Sequence, residues 1–399
     1  HYMYVSMLGS FYKKNLLNFL AKIDKGTVTI NDDFSSTYGK GEPKVTIEVV
    51  SPRFYRRTIL GGDLGFAESY AKGEWFTDNL TDLITILILN KENLAGLDVK
   101  WSFLTKIFAK IGHWRRRNTI SGSKKNIQEH YDLSNEMFMT FLDKTMTYSC
   151  GFFENENDSL YQSQINKIDK IIEKADIKSE HHILEIGSGW GALARRAVEK
   201  TGCKVTTITL SNRQYDYVNK MIKEENLTNN IDIQLIDFRN VKGVYDRIVS
   251  VEMIEAIGYD LFNSYFKKIE ELMKPEGTAV IQAITYPDEG YETYRKGCDF
   301  IQKFIFPGSL LPSIGAMESS INLTELKLDN IEKIGSHYAT TLNIWNQNFN
   351  KNIEQIKEMG FDQYFINLWN YYFSYCEAGF ANNTIDDVQL VVKGGTANA

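Results

Sequence analysis

The chain has 399 residues, of which 43% are hydrophobic and 24% charged, with a formal net charge of −6 at pH 7. Those proportions are ordinary for a globular protein of two or three domains and argue against nucleic acid as a general partner, because there is no net positive field to attract it. The longest apolar run, Leu83 to Leu89, falls far short of a spanning helix, no signal-peptide pattern opens the chain, and Cys150, Cys203, Cys298 and Cys376 form no CxxC pair, which predicts a cytoplasmic protein without a zinc site.

From Phe11 to about Leu97 the pattern is mixed. An amphipathic helix is predicted near Leu16 to Ile23, strands at Thr27 to Ile30 and Lys44 to Val50, and a turn at Gly61-Gly62. Leu64-Gly65-Phe66-Ala67-Glu68-Ser69-Tyr70 and Gly73-Glu74-Trp75 come next, followed by the apolar Leu80 to Leu89. None of this carries chemistry by itself, so residues 1–98 read as a small α/β domain.

Between Val99 and Gln128 acidic residues are lacking, whereas Lys100, Lys106, Lys110, Arg115, Arg116, Arg117, Lys124 and Lys125 are all present. Phe103, Leu104, Ile107, Phe108, Ile111 and Trp114 recur among them at helical spacing, giving one apolar face with basic flanks. Two readings of residues 99–125 stand side by side. A helix lying on an anionic bilayer gains about 1 kcal/mol per surface cation; a helix packed on the protein leaves the same lysines solvated. Ser121-Gly122-Ser123 then reads as the linker into a second domain, 126–399.

The centre of that domain is His182 to Gly191. Ile183, Leu184 and Ile186 form a buried strand that breaks into Gly187, Gly189 and Gly191, where a missing Cβ lets backbone approach a ligand, and a helix is predicted from about Trp190 to Lys200. The spacing is GxGxG, not the GxGxxG of a dinucleotide site, and no Lys-Ser/Thr follows as in a P-loop. A second parallel strand is predicted at Lys204 to Thr209, a helix opening at Leu210-Ser211-Asn212-Arg213-Gln214, and a third strand at Ile231 to Leu235.

An acidic strand ending Glu-x-Gly-x-Gly-x-Gly resembles motif I of class I methyltransferases, where the turn holds the methionine part of S-adenosylmethionine. Further motifs sharpen the resemblance: His130-Tyr131-Asp132 with Asn135, Tyr148-Ser149-Cys150, Glu255 in Met-Ile-Glu-Ala-Ile-Gly, Lys303 to Gly308 with Leu311-Pro312-Ser313, Tyr338 to Trp345, and Tyr372 to Phe380. With these the chain resembles the cyclopropane-fatty-acid synthase family of S-adenosylmethionine-dependent enzymes, across the whole catalytic half and, through Gly65 to Tyr70, part of the amino-terminal domain. The resemblance implies an α/β class I methyltransferase fold, Rossmann-like with a mainly parallel sheet, and a smaller lipid-associated α/β domain before it.

It also implies a cofactor site. Tyr148 and Ser149 match positions that close over S-adenosylmethionine, and Glu185, Gly187, Gly189 and Gly191 form the turn. Many methyltransferases end the second strand in a carboxylate that holds the ribose; here Thr209, Leu210 and Gln214 take its place, although Gln214 taken alone is equally a solvated helical residue. Asp237 is placed to accept from the adenine amino group, with Ile236 and Phe238 flanking the ring.

Members of the family transfer a methyl group to a cis double bond of an unsaturated phospholipid acyl chain. An isolated alkene is a poor nucleophile, so alignment with the sulfonium carries much of the catalysis. A base then removes a proton to close the ring, and the resemblance assigns that task to bicarbonate caged by a carboxylate, a His, a Tyr hydroxyl and backbone groups. These map to Glu255, Tyr338 and the backbone of Cys150 and Ile284. At the His position this chain has Gln282, which donates and accepts hydrogen bonds but carries no charge near neutral pH. That departure bears on bicarbonate and on ring closure, and makes a methyl- or methylene-branched chain the second product reading. Other readings are a non-catalytic lipid-binding protein and methylation of a small amine or hydroxyl. Read without the family, Glu255 and Glu252 are each equally a helix-start carboxylate, and Tyr338 and Cys376 are core residues. Cys376 matches a thiol long suspected of catalysis, though no covalent step requires one; His337 is expected in solvent or loop packing, and Phe304 and Phe306 suit a lipid tunnel. The expected setting is an anionic membrane surface met peripherally from the cytoplasm, with a homodimer as the expected assembly.

Overall fold

The computed structural model describes residues 2–94 and 133–395, with side chains from residue 9 onward. The basic segment 99–125 and His130-Tyr131-Asp132 lie outside the described residues. The chain divides into two compact units. One takes the described residues of His1–Arg115 together with Lys296–Ile305 and Trp345–Asn382, and the other takes those of Arg116–Arg295 with Phe306–Ile344 and Asn383–Ala399. The packed units therefore interleave along the sequence, whereas the expected boundaries at 98 and 126 are simple cuts.

In the first unit, strands β1 (Gly26–Asn31), β2 (Ser35–Lys40), β3 (Lys44–Val49) and β4 (Trp75–Thr77) form a sheet in the order β2-β1-β3-β4. β1 and β3 are parallel, and the outer pairs are antiparallel. The first helix, Tyr2–Leu20, reaches well before the Leu16 start predicted for it. Gly61-Gly62 does not reverse the chain as predicted. Arg53–Ala71 is helical on both sides of a kink at Gly62, where φ is 59° and ψ −138°, because the buried Ile59, Leu64 and Phe66 keep both halves on one core and glycine takes the left-handed backbone without a Cβ clash. The Gly65 to Trp75 motifs are structural. A Cβ on Gly65 would stand 2.0 Å from the Arg57 carbonyl, Phe66 stacks on Trp75 at 4.5 Å, and the Trp75 indole donates to Ser69 Oγ at 2.8 Å. Helix Gln363–Ala381 buries residues around most of its circumference and packs on the Arg53–Ala71 and Leu80–Leu89 helices, which explains why a late stretch of sequence joins the amino-terminal fold.

The second unit is built on seven strands: β5 (His182–Ile186), β6 (Lys204–Thr209), β7 (Ile231–Leu235), β8 (Tyr245–Val251), β9 (Met273–Thr285), β10 (Lys327–Lys333) and β11 (Asp386–Lys393), in the order β10-β11-β9-β8-β5-β6-β7. β7, β6, β5, β8 and β9 run parallel, and β11 is antiparallel to both of its neighbours. Both faces of the sheet are covered, so its strands read as apolar runs instead of alternating. Ile183, Val205, Val249 and Val280 share one core with Leu193, Ala197 and Val218 of the flanking helices; Leu184, Ile186, Ile248 and Ile281 share the other with Phe262, Phe266 and Ile269. Each such buried Val, Leu, Ile or Phe side chain contributes about 1.5–3 kcal/mol. The strand order reverses at β5, so the crevice beyond the carboxyl ends of β5, β8 and β6 is where a ligand fits.

Candidate active site

β5 ends directly in the glycine turn. Gly187, Gly189 and Gly191 have φ of 95°, 50° and 92°, a region that costs an L-residue roughly 1–2 kcal/mol. Their surroundings differ. A Cβ at Gly187 would lie 2.3 Å from Met253 Cγ and one at Gly191 2.7 Å from Met221 Cε, whereas at Gly189 nothing stands within 4 Å. Gly187 and Gly191 therefore let the turn pack, and Gly189 presents bare backbone to open space. The turn is held to β6 by the Gly187 and Ser188 amides, which donate to the Ile208 carbonyl at 3.1 and 2.8 Å, and Trp190 Nε1 donates to Asn135 at 3.0 Å. Helix Ala192–Thr201 starts at Gly191 and ends at the left-handed Gly202, close to the predicted bounds.

At the end of β6, Thr209 Oγ1 donates to Gln214 Oε1 at 2.8 Å, and Ser211 caps helix Asn212–Glu224 by accepting from the Gln214 amide at 3.2 Å. Both Thr209 and Gln214 are buried. The Gln214 Nε2 group makes no hydrogen bond among the described residues and is left to donate to a ribose hydroxyl. Leu210 and Ile236 are half-buried beside them. After β7, Asp237 accepts from the Arg239 amide and Nε on Oδ1 and from Nη2 on Oδ2; Oδ2 keeps acceptor capacity for an amino group. Glu185 is buried beside Thr207, its partner across β5 and β6. Thr207 Oγ1 donates to it at 2.6 Å, and burial pushes its carboxyl up to about 8 against that hydroxyl's opposing effect. Ser149 is fixed by Gln164 Nε2, which donates to its carbonyl at 2.8 Å, and by Lys167 Nζ, which donates to its hydroxyl at 2.5 Å. The Tyr148 ring stands 5.3 Å from Phe138, 5.7 Å from Phe141 and 6.5 Å from Phe306. These residues fit S-adenosylmethionine: glycine backbone for the methionine part, Gln214 for the ribose, Asp237 and half-buried Ile236 for the base.

Beyond β8 and β9 the structure gathers a second set of groups, centred on a residue that the sequence suggested only as a helix-start carboxylate. Glu252, just after β8, has φ 52°, left-handed for a residue with a full side chain. Its Oε2 accepts from the Cys150 amide at 2.9 Å and from Gln282 Nε2 at 2.7 Å, and its Oε1 accepts from the Tyr338 hydroxyl at 2.7 Å. Two of the four groups that the resemblance assigns to a bicarbonate cage, the Cys150 amide and the Tyr338 hydroxyl, thus converge together with the histidine replacement Gln282, but on a side chain of the protein. The other backbone donor, Ile284 N–H, is taken by Glu255 Oε1, while Glu255 Oε2 is buried with no hydrogen bond among the described residues.

The Gln282 amide is oriented from behind. β9 and β11 pair Gln282 with Gln389; Gln389 Nε2 donates to Gln282 Oε1 at 3.0 Å, and Lys174 Nζ donates to Gln389 Oε1 at 2.5 Å. The chain Lys174, Gln389, Gln282 therefore delivers an N–H to Glu252. Burial pushes the Glu255 carboxyl up to about 8, helped by the nearby Glu252 charge and opposed by the Ile284 amide. Asp387 is raised well above the usual carboxylate range by burial and then by Glu252, and burial lowers Lys167. Burial thus favours the neutral acid form of both Glu255 and Asp387 beside Glu252.

Cys150 takes part through its backbone alone. Its buried thiol donates to the Gly151 carbonyl at 3.1 Å and is raised well above its ordinary value by burial. Cys376 belongs to helix Gln363–Ala381 of the first unit; burial and Asp299 raise its thiol too, so it is no ready nucleophile. His337 is spent on packing, accepting from the Phe153 amide at 3.2 Å with its ring 4.2 Å from Phe152. The sequence offered one signal for the missed polar residues: Gln164, Lys167 and Lys174 lie on the same side of helix Leu160–Lys174 as Ile171, interrupting its apolar face.

The family model described as mycolic acid cyclopropane synthetase matches residues 119–390. The chain is 37% identical to the tuberculostearic acid methyltransferase UfaA1 of Mycobacterium tuberculosis, over 84% of this chain and 79% of that protein. It is 31% identical to the cyclopropane-fatty-acyl-phospholipid synthase of Escherichia coli, over 90% of each. Among solved structures, the mycolic acid cyclopropane synthase CmaA1 complexed with SAH and CTAB superposes with a TM-score of 0.64 at 29% identity, covering 68% of this chain and 98% of that one. The cyclopropane synthase MmaA2 from Mycobacterium tuberculosis gives the same values. With its catalytic half under that family model and a relative above 30% identity along 90% of its length, the chain belongs to the mycolic acid cyclopropane synthetase family and is an S-adenosylmethionine-dependent methyltransferase.

Proposed function

We propose that the protein methylates the cis double bond of an unsaturated phospholipid acyl chain and closes a cyclopropane ring. The observation that carries this reading is the placement, on neighbouring parallel strands of one unit, of a glycine turn fit for a sulfonium cofactor after β5 and a hydrogen-bonded carboxylate after β8. S-adenosylmethionine supplies an electrophilic methyl group. The chain holds it through the turn, Gln214 and Asp237, keeps a lipid double bond in line with it, and provides a proton acceptor away from bulk water. The Escherichia coli relative is named for the same substrate class.

A methyl- or methylene-branched product is the second reading, favoured by Gln282 at the histidine position. The ring and the methylene branch differ only in which carbon gives up its proton. Purified protein is incubated with S-adenosylmethionine and unsaturated phospholipid vesicles, and the fatty-acid methyl esters are analysed by mass spectrometry. A gain of one methylene with loss of the alkene indicates the ring, retained unsaturation indicates branching, and no gain refutes both.

Among the described residues no helix is long and apolar enough to cross a membrane. The proposal places the enzyme peripherally on the cytoplasmic face of an anionic membrane through the basic segment 99–125, as a homodimer. Arg115, Arg116 and Arg117 replaced together by Gln should lower vesicle affinity and its salt dependence, each arginine contributing about 1 kcal/mol; sedimentation with anionic vesicles at two salt concentrations is the check.

A further inference from the structure

We propose that Glu252 is the general base of the reaction: its carboxylate fills the cage that the family resemblance assigns to bicarbonate and removes the proton after methyl transfer. The inference rests on the acyl-methylating reading above and deepens it.

Bicarbonate does not fit this cage. A carboxylate and a bicarbonate present the same pair of oxygens to donors, and the donors that bicarbonate needs are already committed. The Cys150 amide, Gln282 Nε2 and the Tyr338 hydroxyl lie 2.9, 2.7 and 2.7 Å from the Glu252 oxygens, and the Ile284 amide is held by Glu255. The backbone supports the same conclusion. Glu252 sits at φ 52°, where glycine is the unstrained choice; an outlier of this kind persists where the side chain is needed in place. Its own amide is fixed by the Gln282 carbonyl at 2.7 Å, so the residue is tied at both ends. Gln282 also finds a purpose. A neutral amide donates to a built-in carboxylate without adding a second titrating group, and its orientation is set by Gln389 and Lys174.

The step balances without an added co-reactant. The sulfur–methyl bond breaks with its electron pair left on sulfur, and the alkene π pair forms a carbon–carbon bond to the methyl carbon, leaving a cationic centre on the other alkene carbon. Glu252 Oε1 takes a proton from the new methyl group, and the freed C–H pair closes the third carbon–carbon bond. Glu252 becomes a neutral acid, sharing that proton with Tyr338 until it is lost to solvent. Removal of a proton from a carbon next to the cationic centre by the same group gives the branched alkene instead.

The test uses the full chain with S-adenosylmethionine and unsaturated phospholipid vesicles in carbon-dioxide-stripped buffer, with and without bicarbonate. Wild-type turnover should not depend on bicarbonate. Glu252→Gln should lose about 100-fold or more in turnover with S-adenosylmethionine affinity unchanged by calorimetry, which verifies the fold. Glu252→Gly, which suits the backbone and empties the cage, should be equally slow and recover about 10-fold or more on addition of bicarbonate or formate. As a readout free of activity, carbon-13 bicarbonate should show exchange broadening with Glu252→Gly and none with wild type. Bicarbonate-dependent wild-type turnover, bicarbonate binding to wild type, or full turnover by Glu252→Gln each overturns the inference. Absence of lipid turnover by the wild type overturns the acyl-methylating reading, and the base assignment with it, while the bicarbonate spectra still decide whether Glu252 fills the cage.

Discussion

Glu255→Gln converts the electrostatics of the buried cluster into a stability measurement. Burial and the Glu252 charge hold the Glu255 carboxyl at about 8, against an ordinary value of 4.5. An unfolded chain therefore loses this proton first, and between those pH values the folded protein binds one proton more than the unfolded one. Its stability is fully present below about pH 4.5 and falls by about 1.4 kcal/mol per pH unit as pH rises to about 8, a total of about 5 kcal/mol. Gln keeps the Oε1 acceptor for the Ile284 amide and sets an NH2 where the acid carries its O–H, so it mimics the protonated form and does not titrate. The difference in unfolding free energy, variant minus wild type, should thus be small near pH 4.5, grow to about 5 kcal/mol by pH 8 and level off above it. Urea unfolding followed by circular dichroism from about pH 5 to about pH 9 measures it, and Glu185, raised in the same way in both proteins, cancels. A flat difference would refute a neutral Glu255, and a difference shrinking with pH would show the carboxylate to be the folded form.

Three further outcomes follow from the geometry. Gly189→Ala meets no atom within 4 Å but is forced to φ 50°, so it should fold with a loss of roughly 1–2 kcal/mol and bind S-adenosylmethionine at least about 10-fold more weakly, because the new methyl enters the open face of the turn; calorimetry reports both. Gln214→Leu removes the amide assigned to the ribose, and a lost buried hydrogen bond of about 1–3 kcal/mol predicts a roughly 5- to 150-fold rise in Kd. Lys174→Met takes the first donor from the chain behind Gln282; turnover should fall several-fold while S-adenosylmethionine affinity stays constant, and an unchanged kcat would separate that chain from catalysis.

The elements that carry the cofactor motifs were legible because they are local. A glycine turn, a strand end and a capped helix are each written in consecutive residues, and burial of both sheet faces gives the apolar runs that locate β5, β6 and β7. The sequence also marked Gln282 as the place where the family pattern breaks. What it could not supply was the reason. Cys150, Gln282 and Tyr338 are separated from Glu252 by 102, 30 and 86 residues, and they meet only because β8 runs parallel to β9 with Val251 beside Gln282, while β11 sets Gln389 against it. The kink at Gly62 and the capture of Gln363–Ala381 by the amino-terminal unit were hidden in the same way, since a helix that is apolar on most sides does not state which surface will cover it. The sequence by itself determined the methyltransferase fold, the cofactor and the reaction family, because strand and turn propensities and short motifs act over neighbouring residues. Only the tertiary structure decided that a glutamate of the chain occupies the base position, because hydrogen-bond convergence depends on strand register and backbone handedness, and neither is written in the residue at position 252.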